Sequence, residues 1–258
     1  MMPEKLSCVL IVRNEERRIE RCLQNLVWAD EIIVIDQKSD DKTVEIARKY
    51  TDKIFITEPK LICNPDRNFG IDKAANRWVL LVEADEIIDE NLRDEIRNIL
   101  SPPTEFEIYH IPVKTFFVGK WIKHCGWYPS YIPRLFKKGT IIFEENIHTN
   151  GKAATDLQGY LKNPILHYSY DSIDDWIDKF KRYTTRMAEE SFRKGETPSA
   201  SRCLWEVFVK PAVIFFRKYI LLKGYMEGWR GLFISISASL GGIFAYFKLC
   251  ELDYHNKK

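Results

Sequence analysis

The sequence predicts an α/β fold in which a mostly parallel sheet is flanked by helices and followed by a helical C-terminal region. Three observations support this prediction. Short runs rich in β-branched residues alternate with segments of helical periodicity through the first hundred or so residues. Strands that alternate with single helices are joined by right-handed crossovers and therefore lie parallel in one sheet. Toward the C-terminus, aromatic and basic residues become concentrated.

The elements of the first part of the chain follow one another in the order β-α-β-α-β-α-β. Buried runs typical of strands occur at 6–12, 31–36, 53–57 and 78–82. Segments expected to be helical occur at 15–29 and 43–50, and the polar loop 64–73 is expected to run into a third helix that Asn76 closes. The four strands are therefore expected to form the core of the sheet.

The rest of the chain has a less regular pattern. Residues 105–166 are strand-like but are interrupted by prolines, so we expect mixed sheet and loops that complete the same domain. Residues 172–194 have the charge and spacing of an amphipathic helix. The segment 204–249 contains 11 of the 34 aromatic residues, and six basic residues against two acidic ones.

Composition and charge narrow the possible functions. Hydrophobic residues make up 45% and charged residues 29% of the 258 residues, which is typical of a globular protein. A net charge of +2 provides no overall attraction to nucleic acid, so no nucleic-acid partner is expected. The six cysteines include no CxxC pair, which argues against a zinc site or a disulfide framework. The N-terminus lacks the features of a signal peptide, so we expect a cytoplasmic location.

Polar residues follow the predicted strands at the edge where open parallel sheets bind ligands. They are Arg13, Asn14 and Glu15 after the first strand, Asp36 at the end of the second, and Glu83 and Asp85 after the fourth. Such residues are expected to converge on one ligand.

Glu83 and Asp85 allow two interpretations. A pair of carboxylates just past a buried strand suits a hard divalent cation, Mg²⁺ or Mn²⁺, shared with phosphate groups. Alternatively, the segment begins a helix, with Asp85 as its N-cap and with Glu86 and Asp89 favoured by the helix dipole.

Asp36, Arg67 and Asn68 are further candidates. Asp36 could accept hydrogen bonds from a ribose or a base, or could cap the turn that follows it. Arg67, which with Asn68 lies before the third helix, could pair with a diphosphate or could be solvated. The chain has no GxxxxGK[ST] or GxGxxG motif, which favours a metal-bridged phosphate site over a glycine-loop site.

His148 follows Glu144 and Glu145 in a strand-like region. Together with carboxylates from other segments, it could complete a metal site and supply a base. A lone histidine in a mixed sheet is more often structural.

In this order, these residues resemble the family 2 glycosyltransferases, in particular the branch similar to bacterial lipopolysaccharide-core β-1,4-glucosyltransferases. The likeness covers nearly the whole chain. The similar stretches are 6–16, 28–36, 39–47, 67–68, 78–86, 126–129, 134–136, 148, 166–170, 215–219 and 224.

The resemblance implies a GT-A fold, an NDP-sugar donor, with a UDP-hexose favoured, and inversion at the anomeric carbon. It assigns the nucleoside to the 13–15 loop and Asp36, and the rest of the donor site to Arg67, Asn68 and Glu83. Asp85 and His148 would hold Mn²⁺ or Mg²⁺, and Arg134 would neutralise the leaving diphosphate. Residues 1–170 would form the catalytic domain, with a nucleotide half at about 1–100 and an acceptor half at about 101–170.

The sequence departs from the family pattern at two positions. Glu83 stands where the family usually has aspartate, and the glutamate still supplies a carboxylate. Thr149 follows His148 where the family commonly has glutamate, and a hydroxyl is not a general base near neutral pH. Glu145 is the substitute candidate for the base. The other possibility is a nucleotide-sugar-binding protein whose catalysis is lost or altered. A nucleotidyltransferase is disfavoured because the loop after the first strand lacks glycine.

Residues 171–258 are expected to form a helical region that either contacts a membrane or mediates packing and homodimerisation. The uncharged run 232–247 is shorter than the ~20 residues that span a bilayer. Basic residues mixed with aromatic ones suit helices in a membrane interface. This region would place the site near a glycan or lipid-linked acceptor at the cytoplasmic face of the inner membrane.

Overall fold

A computed structural model describes residues 3–60, 63–101, 104–144 and 151–257. The chain forms two compact units. Unit 1 comprises Met1–Lys114 and Ser130–Ser169, and unit 2 comprises Thr115–Pro129 and Tyr170–Lys258. Residues 115–129 thus group with the C-terminal helices, although they precede the predicted boundary at 170. The functional halves 1–100 and 101–170 stay a prediction.

Unit 1 contains the alternating strands and helices that the sequence predicts. The early strands are β1 (Leu6–Val12), β2 (Glu31–Asp36), β3 (Ile54–Ile56), β4 (Trp78–Val82) and β5 (Glu86–Ile87). The helices are α1 (Ile19–Gln24), α2 (Thr43–Ala47), α3 (Asn64–Lys73) and α4 (Glu90–Leu100). The later strands are β6 (Ile108–Phe117), β7 (Lys120–Trp121), β8 (Tyr131–Lys137), β9 (Ile141–Ile142), β10 (Lys152–Ala153), β11 (Gln158–Tyr160) and β12 (Ile165–Tyr170). β7 and the last residues of β6 and β12 belong to unit 2.

The main sheet follows the order β3-β2-β1-β4-β8-β6-β12-β5. β1 is parallel to β2 and to β4, and β2 is parallel to β3. β8 is antiparallel to both β4 and β6, and β9 and β10 form a separate antiparallel pair. The predicted α/β class with a mostly parallel core is confirmed, and β8 begins the mixed part of the sheet.

β1, β2 and β4 are covered on both faces of the sheet. Every residue of β2 and β4 is buried. Alternate side chains of β1 point to opposite faces, so Cys8 and Leu10 enter one apolar cluster and Val9 enters another. Each large apolar side chain buried in this way stabilises the fold by roughly 1.5–3 kcal/mol. The polar residues at the carboxyl ends of these strands are therefore positioned by a well-packed sheet.

Two helices are shorter than their apolar spacing predicts. Within 15–29 only Ile19–Gln24 is α-helical, and within 43–50 only Thr43–Ala47 is. Neither N-cap residue, Arg18 or Lys42, accepts a hydrogen bond with its side chain, and neighbouring groups bond the first N–H instead. The N–H of Ile19 donates to the carbonyl of Glu15, and that of Thr43 donates to Asp41 Oδ1 at 2.9 Å.

The prediction that Arg67 and Asn68 lie in a polar loop before the third helix is wrong. α3 already begins at Asn64, with a proline in its first turn, so both residues lie within the helix.

Unit 2 is mainly helical. Its helices are α5 (Ile173–Arg193), α6 (Ala200–Cys203), α7 (Lys210–Phe216) and α8 (Trp229–Asn256). α5 begins as predicted because Ser172 Oγ accepts the N–H of Asp175 at 3.0 Å. Wider π-helical turns join α6 to α7 and extend α7, so that helical structure is continuous from Ala200 to Leu221.

α8 is long and apolar enough to cross a membrane, judged by its length and composition alone. It has 28 residues, and the mean hydropathy of its most apolar 18-residue window is 1.6. Within the described parts of the chain no second helix meets these two conditions. The core helix of a soluble protein can meet them as well, and 39% of this window is buried within the protein.

Candidate active site

The loops after β1 and β2 are joined by hydrogen bonds. The backbone N–H of Asn14 donates to Ser39 Oγ at 2.8 Å, and the N–H of Glu15 donates to Thr43 Oγ1 at 2.7 Å. Asn14 has a φ of 55°, a left-handed conformation that asparagine adopts more readily than most residues. Arg13 is exposed in the same loop. The structure therefore brings the predicted nucleoside residues after β1 close to the loop after β2.

Asp36 is buried at the end of β2 and organises the turn that follows it. Its Oδ2 accepts the backbone N–H of Ser39 at 2.9 Å, and its Oδ1 accepts the Ser39 hydroxyl at 2.5 Å. This is the turn-capping role that the sequence left open. A carboxylate oxygen can accept a second hydrogen bond, so a contact with the nucleoside stays a prediction.

Beyond β4, two carboxylates share one guanidinium. Arg134 Nη2, on β8, lies 2.8 Å from Glu83 Oε1 and 2.8 Å from Glu86 Oε1. The side chain of Glu86 is fully buried, whereas that of Glu83 is 39% exposed. Arg134 Nε is also buried and forms no hydrogen bond with any described atom. Arg134 thus neutralises part of a carboxylate cluster, and its contact with a leaving diphosphate stays a prediction.

α3 presents a second arginine to the same cluster. Arg67 Nη2 lies 3.1 Å from Glu83 Oε1, and Arg67 Nη1 donates to Asn64 Oδ1 at 3.1 Å. Arg67 is therefore ion-paired and half-buried, which the sequence did not anticipate. Asn68 exchanges two hydrogen bonds with the backbone of Phe143, at 2.8 and 3.2 Å. These contacts anchor the chain just before residues 145–150.

The alternative reading of Asp85 as a helix N-cap is wrong. The cap of α4 is Asp89, whose Oδ1 accepts the N–H of Leu92 at 3.0 Å. Asp85 precedes β5 and therefore lies outside the helix. Its carboxylate is directed elsewhere, toward a histidine that the sequence analysis assigned no role.

That histidine is His167 on β12. β12 pairs antiparallel with β5 and places His167 opposite Glu86. His167 Nε2 consequently lies 3.3 Å from Asp85 Oδ1. Periodicity could not reveal this contact, because the two residues are far apart in the chain. The only signal was that His167 lies in one of the stretches, 166–170, that carry the family resemblance.

The donor set fits a divalent cation. Glu83, Glu86 and His167 each offer a ligand atom, and these atoms lie within 4.8 Å of one another. His167 Nε2 is buried and lies within ion-pair distance of Asp85. It makes no well-aligned hydrogen bond with any described atom. Carboxylate oxygens suit both Mg²⁺ and Mn²⁺, and an added imidazole nitrogen favours the softer Mn²⁺. Asp85 Oδ1 lies 3.3 Å from His167 Nε2, beside this set, and its role as a metal ligand stays a prediction.

The charges in the cluster shift its pKa values in different directions. Burial raises the pKa of Glu83, but the charges of Arg134 and Arg67 outweigh burial and bring that pKa to about 2. Burial keeps the pKa of Glu86 above its ordinary value. Burial lowers the pKa of His167, yet Asp85 and the two glutamates outweigh it and raise that pKa. Glu83 is therefore ionised at neutral pH and paired with both arginines.

Three predicted or discussed residues lie outside the part of the chain that the structure describes. Glu145, His148 and Thr149 fall within 145–150. The proposed base and the histidine ligand therefore stay predictions. The residue just before them is held in place, since Asn64 Nδ2 donates to the carbonyl oxygen of Glu144 at 2.6 Å.

Comparison with known sequences assigns the family. Residues 7–154 match Glycosyl transferase family 2, which is more than half of the chain, and the protein belongs to this family. An uncharacterized glycosyltransferase of Rickettsia bellii is 25% identical over 98% of this chain and 88% of its own length. The lipopolysaccharide core biosynthesis glycosyltransferase LpsC of Rhizobium meliloti is 23% identical over 98% of this chain and 93% of its own.

Comparison with solved structures finds Staphylococcus aureus TarS 1-349 in complex with UDP. That chain is 16% identical, with 98% of this chain and 92% of TarS covered and a TM-score of 0.48. Glucosyl-3-phosphoglycerate synthase from Mycobacterium tuberculosis with Mg²⁺ and UDP is 16% identical over 76% of this chain and 81% of its own, with a TM-score of 0.47. The family match confirms the predicted transferase class, and the sheet topology confirms the predicted α/β fold class.

Proposed function

We propose that this protein moves a sugar from an NDP-sugar, with a UDP-hexose favoured, to a glycan or lipid-linked acceptor, with inversion at the anomeric carbon. The acceptor would belong to bacterial cell-envelope polysaccharide or lipopolysaccharide. LpsC supports this choice, because it is a lipopolysaccharide core enzyme that aligns with nearly the whole chain. The observation that carries the proposal is the cluster of Glu83, Asp85, Glu86 and His167 at the carboxyl edge of a parallel sheet.

The donor would lie along that edge. The nucleoside would contact the 13–15 loop and Asp36, which the hydrogen bonds through Ser39 hold together. The diphosphate would lie toward Glu83 and Asp85, where the chain offers cation ligands. A bound Mn²⁺ or Mg²⁺ would neutralise negative charge on the diphosphate.

The arginines of the cluster have a positioning role in this proposal. Arg134 and Arg67 both contact Glu83 Oε1, which restricts the direction of the carboxylate and keeps it ionised. Pre-arranged charge of this kind costs no reorganisation during the reaction. Direct neutralisation of the leaving diphosphate by Arg134 requires the Glu83 or Glu86 contact to loosen when the donor binds.

The reaction would be a single displacement. An acceptor hydroxyl oxygen forms a bond to the anomeric carbon while the bond from that carbon to the diphosphate oxygen breaks. The hydroxyl proton passes to a carboxylate, for which we propose Glu145. The competing proposal is a nucleotide-sugar-binding protein without transfer, which the threonine at position 149 favours.

We place this activity in the cytoplasm, at or near the inner membrane, where NDP-sugars and lipid-linked acceptors meet. A homodimer is compatible with the proposal but is not needed for it. The donor cluster lies within unit 1 and is supplied by one chain.

The decisive experiment is a thermal-shift titration of the whole protein with UDP, GDP and ADP and their common sugars, with and without Mn²⁺. One nucleotide should stabilise the protein only with metal, by ~2.7 kcal/mol at a hundred times its Kd. Asp85→Asn should abolish this stabilisation. Asp94→Asn is the matched control, because Asp94 is an exposed carboxylate paired with Arg93 on α4.

Release of the nucleotide diphosphate then separates the two proposals. Slow donor hydrolysis or transfer that is lost in Glu145→Gln supports the enzyme. Metal-dependent binding without any release supports the binding protein. If no nucleotide shifts the melting curve, the donor assignment is wrong.

A further inference from the structure

The helical stretch 204–221 exposes apolar residues and turns polar ones inward, which is the reverse of an ordinary surface helix. Its exposed residues recur as adjacent pairs every four positions, which defines one face. We term this the outward face, and it comprises Leu204, Trp205, Phe208, Val209, Ala212, Val213, Phe216, Arg217, Ile220 and Leu221. Only one of these ten residues is charged. A soluble helix places such a stripe against the core and not toward water.

The polar residues of this stretch point the other way. Glu206 and Lys210 are paired at 2.8 Å and are less exposed than their apolar neighbours. Glu206 Oε2 lies 3.1 Å from where a β-carbon on Gly242 of α8 would be. The polar side of the stretch therefore packs against α8.

α8 shows the same reversal. Six of its buried residues are small, namely Gly231, Ser235, Ser237, Ser239, Gly242 and Ala245. Its exposed residues from 229 to 247 are all large and apolar, namely Trp229, Leu232, Ile236, Leu240, Phe244 and Phe247. The buried serine hydroxyls bond back to their own helix, as Ser235 does to the carbonyl of Gly231 at 2.7 Å. Small residues between helices and large ones outside are typical of helices surrounded by lipid.

The charges on this surface select the partner. Within 204–247 the exposed charged residues are Arg217 and Lys223, both cations. The two acidic residues are withdrawn, since Glu206 pairs with Lys210 and Glu227 is buried beside Lys120. Basic residues among exposed aromatic ones match an anionic lipid surface. A second copy docked by two-fold symmetry would instead place its own Arg217 and Lys223 against the same cations.

From these observations we infer that the outward face of 204–221 and the exposed apolar residues of α8 insert together into one leaflet of an anionic bilayer. This inference does not depend on the proposed sugar transfer. Of the 28 exposed large hydrophobic residues in the described chain, 16 lie within 204–247. Such a concentration in water would be an aggregation hazard. Insertion removes this apolar surface from water to a depth of about 5–10 Å.

The packing of α5 decides between lying in the interface and crossing the bilayer. α5 packs along α8, with Phe180 and Phe244 at 5.5 Å between ring centres and Lys248 Nζ bonded to Thr184 Oγ1 at 2.8 Å. α5 is a charged helix, with acidic and basic residues throughout its length. Charged side chains at the centre of a bilayer are strongly disfavoured. α8 therefore lies in the plane of the membrane in this inference and does not span it.

The test uses the whole protein and vesicles of phosphatidylethanolamine with phosphatidylglycerol, compared with vesicles of phosphatidylcholine alone. Co-sedimentation is expected with both, and more strongly with the anionic vesicles. The bound fraction should largely survive a wash at about 1 M salt, which screens surface charge but does not remove inserted apolar groups. Arg217→Glu with Lys223→Glu should weaken binding to the anionic vesicles specifically.

Phe208→Glu with Phe216→Glu should lower vesicle binding at least about tenfold. Val27→Glu with Ile56→Glu is the matched control, because it adds the same two charges at apolar positions that are 63% and 55% exposed in unit 1. Brominated lipid should quench tryptophan fluorescence of the wild type, and Trp205→Phe should reduce this quenching. This measurement does not require the charged variant to fold. Absent vesicle binding, or binding that the double variant leaves unchanged, overturns the inference. A dimer that the same variant dissociates, without vesicle binding, assigns the face to a second copy instead.

Discussion

Arg134 and Glu86 form a buried ion pair, with 2.8 Å between Nη2 and Oε1 and a Glu86 side chain that is fully enclosed. The same nitrogen lies 2.8 Å from Glu83 Oε1, so one donor group bridges a buried and a half-exposed carboxylate. Two carboxylates this close repel each other unless a cation lies between them. Arg134 therefore determines how much negative charge the cluster presents to a ligand.

Replacing Arg134 with methionine should destabilise the protein by about 3–5 kcal/mol, because it leaves the Glu86 carboxyl buried without its partner. Urea denaturation measures this loss. Arg134→Met with Glu86→Gln should recover part of it, since the two side chains are in contact and their effects are coupled. Arg93→Met is the control, because its pair with Asp94 is exposed, and it should change stability little. If Arg134→Met lowers the free energy of unfolding as little as the control does, the Arg134–Glu86 ion pair is not a stabilising contact.

His167→Gln should weaken metal-dependent nucleotide binding by about 10–100-fold, by removal of a ligand or of the group that orients Asp85. The affinity for Mn²⁺ in the presence of nucleotide, measured by calorimetry, tests this. His110→Gln is the matched control, since His110 also lies in unit 1 but bonds to Gln158 at 2.7 Å, away from the cluster. Equal effects of the two substitutions on metal affinity would remove His167 from the site.

Glu227 is expected to make the stability of unit 2 sensitive to acid. Burial raises its pKa, but hydrogen bonds from Lys120, His124 and the N–H of Lys123 outweigh burial and lower the pKa from 4.5 to about 2. A carboxyl with a lower pKa in the folded state stabilises the protein above the unfolded value. That contribution, about 3 kcal/mol, is lost as the pH falls from about 4.5 to about 2.

Denaturation curves across this pH range check the prediction. Glu227→Gln should lower stability at neutral pH and should flatten the fall in stability below pH 4.5. Glu251→Gln, at an exposed position of α8, should leave the wild-type pH profile in place. Identical acid profiles for wild type and Glu227→Gln are the contrary result.

Gly231 and Gly241 on α8 offer a matched pair for the close approach of the backbone. A β-carbon on Gly231 would lie 1.8 Å from the carbonyl oxygen of Gly224, whereas on Gly241 the nearest atom, in Phe180, is 3.9 Å away. Gly231→Ala should therefore cost about 1–3 kcal/mol through overpacking. Gly241→Ala should be neutral or stabilising by up to ~1 kcal/mol, because alanine favours helix. Thermal melting of both variants decides this, and equal melting temperatures contradict it.

Local patterns in the sequence determined the alternating strands and helices, the parallel orientation of β1 to β4, and the polar residues at their carboxyl ends. These features follow from apolar periodicity and strand termini, which neighbouring residues set. Helix lengths were less predictable, since only six residues of 15–29 and five of 43–50 are α-helical.

Only the tertiary structure decided which of these polar residues meet. Asp89 and not Asp85 caps α4, Arg134 of β8 joins Glu83 and Glu86, and the pairing of β12 with β5 brings His167 to Asp85. Such contacts depend on strand register between distant segments, which no local period encodes. Composition likewise revealed that residues 204–249 are aromatic and basic, but packing against small residues of α8 determined which face of them points outward.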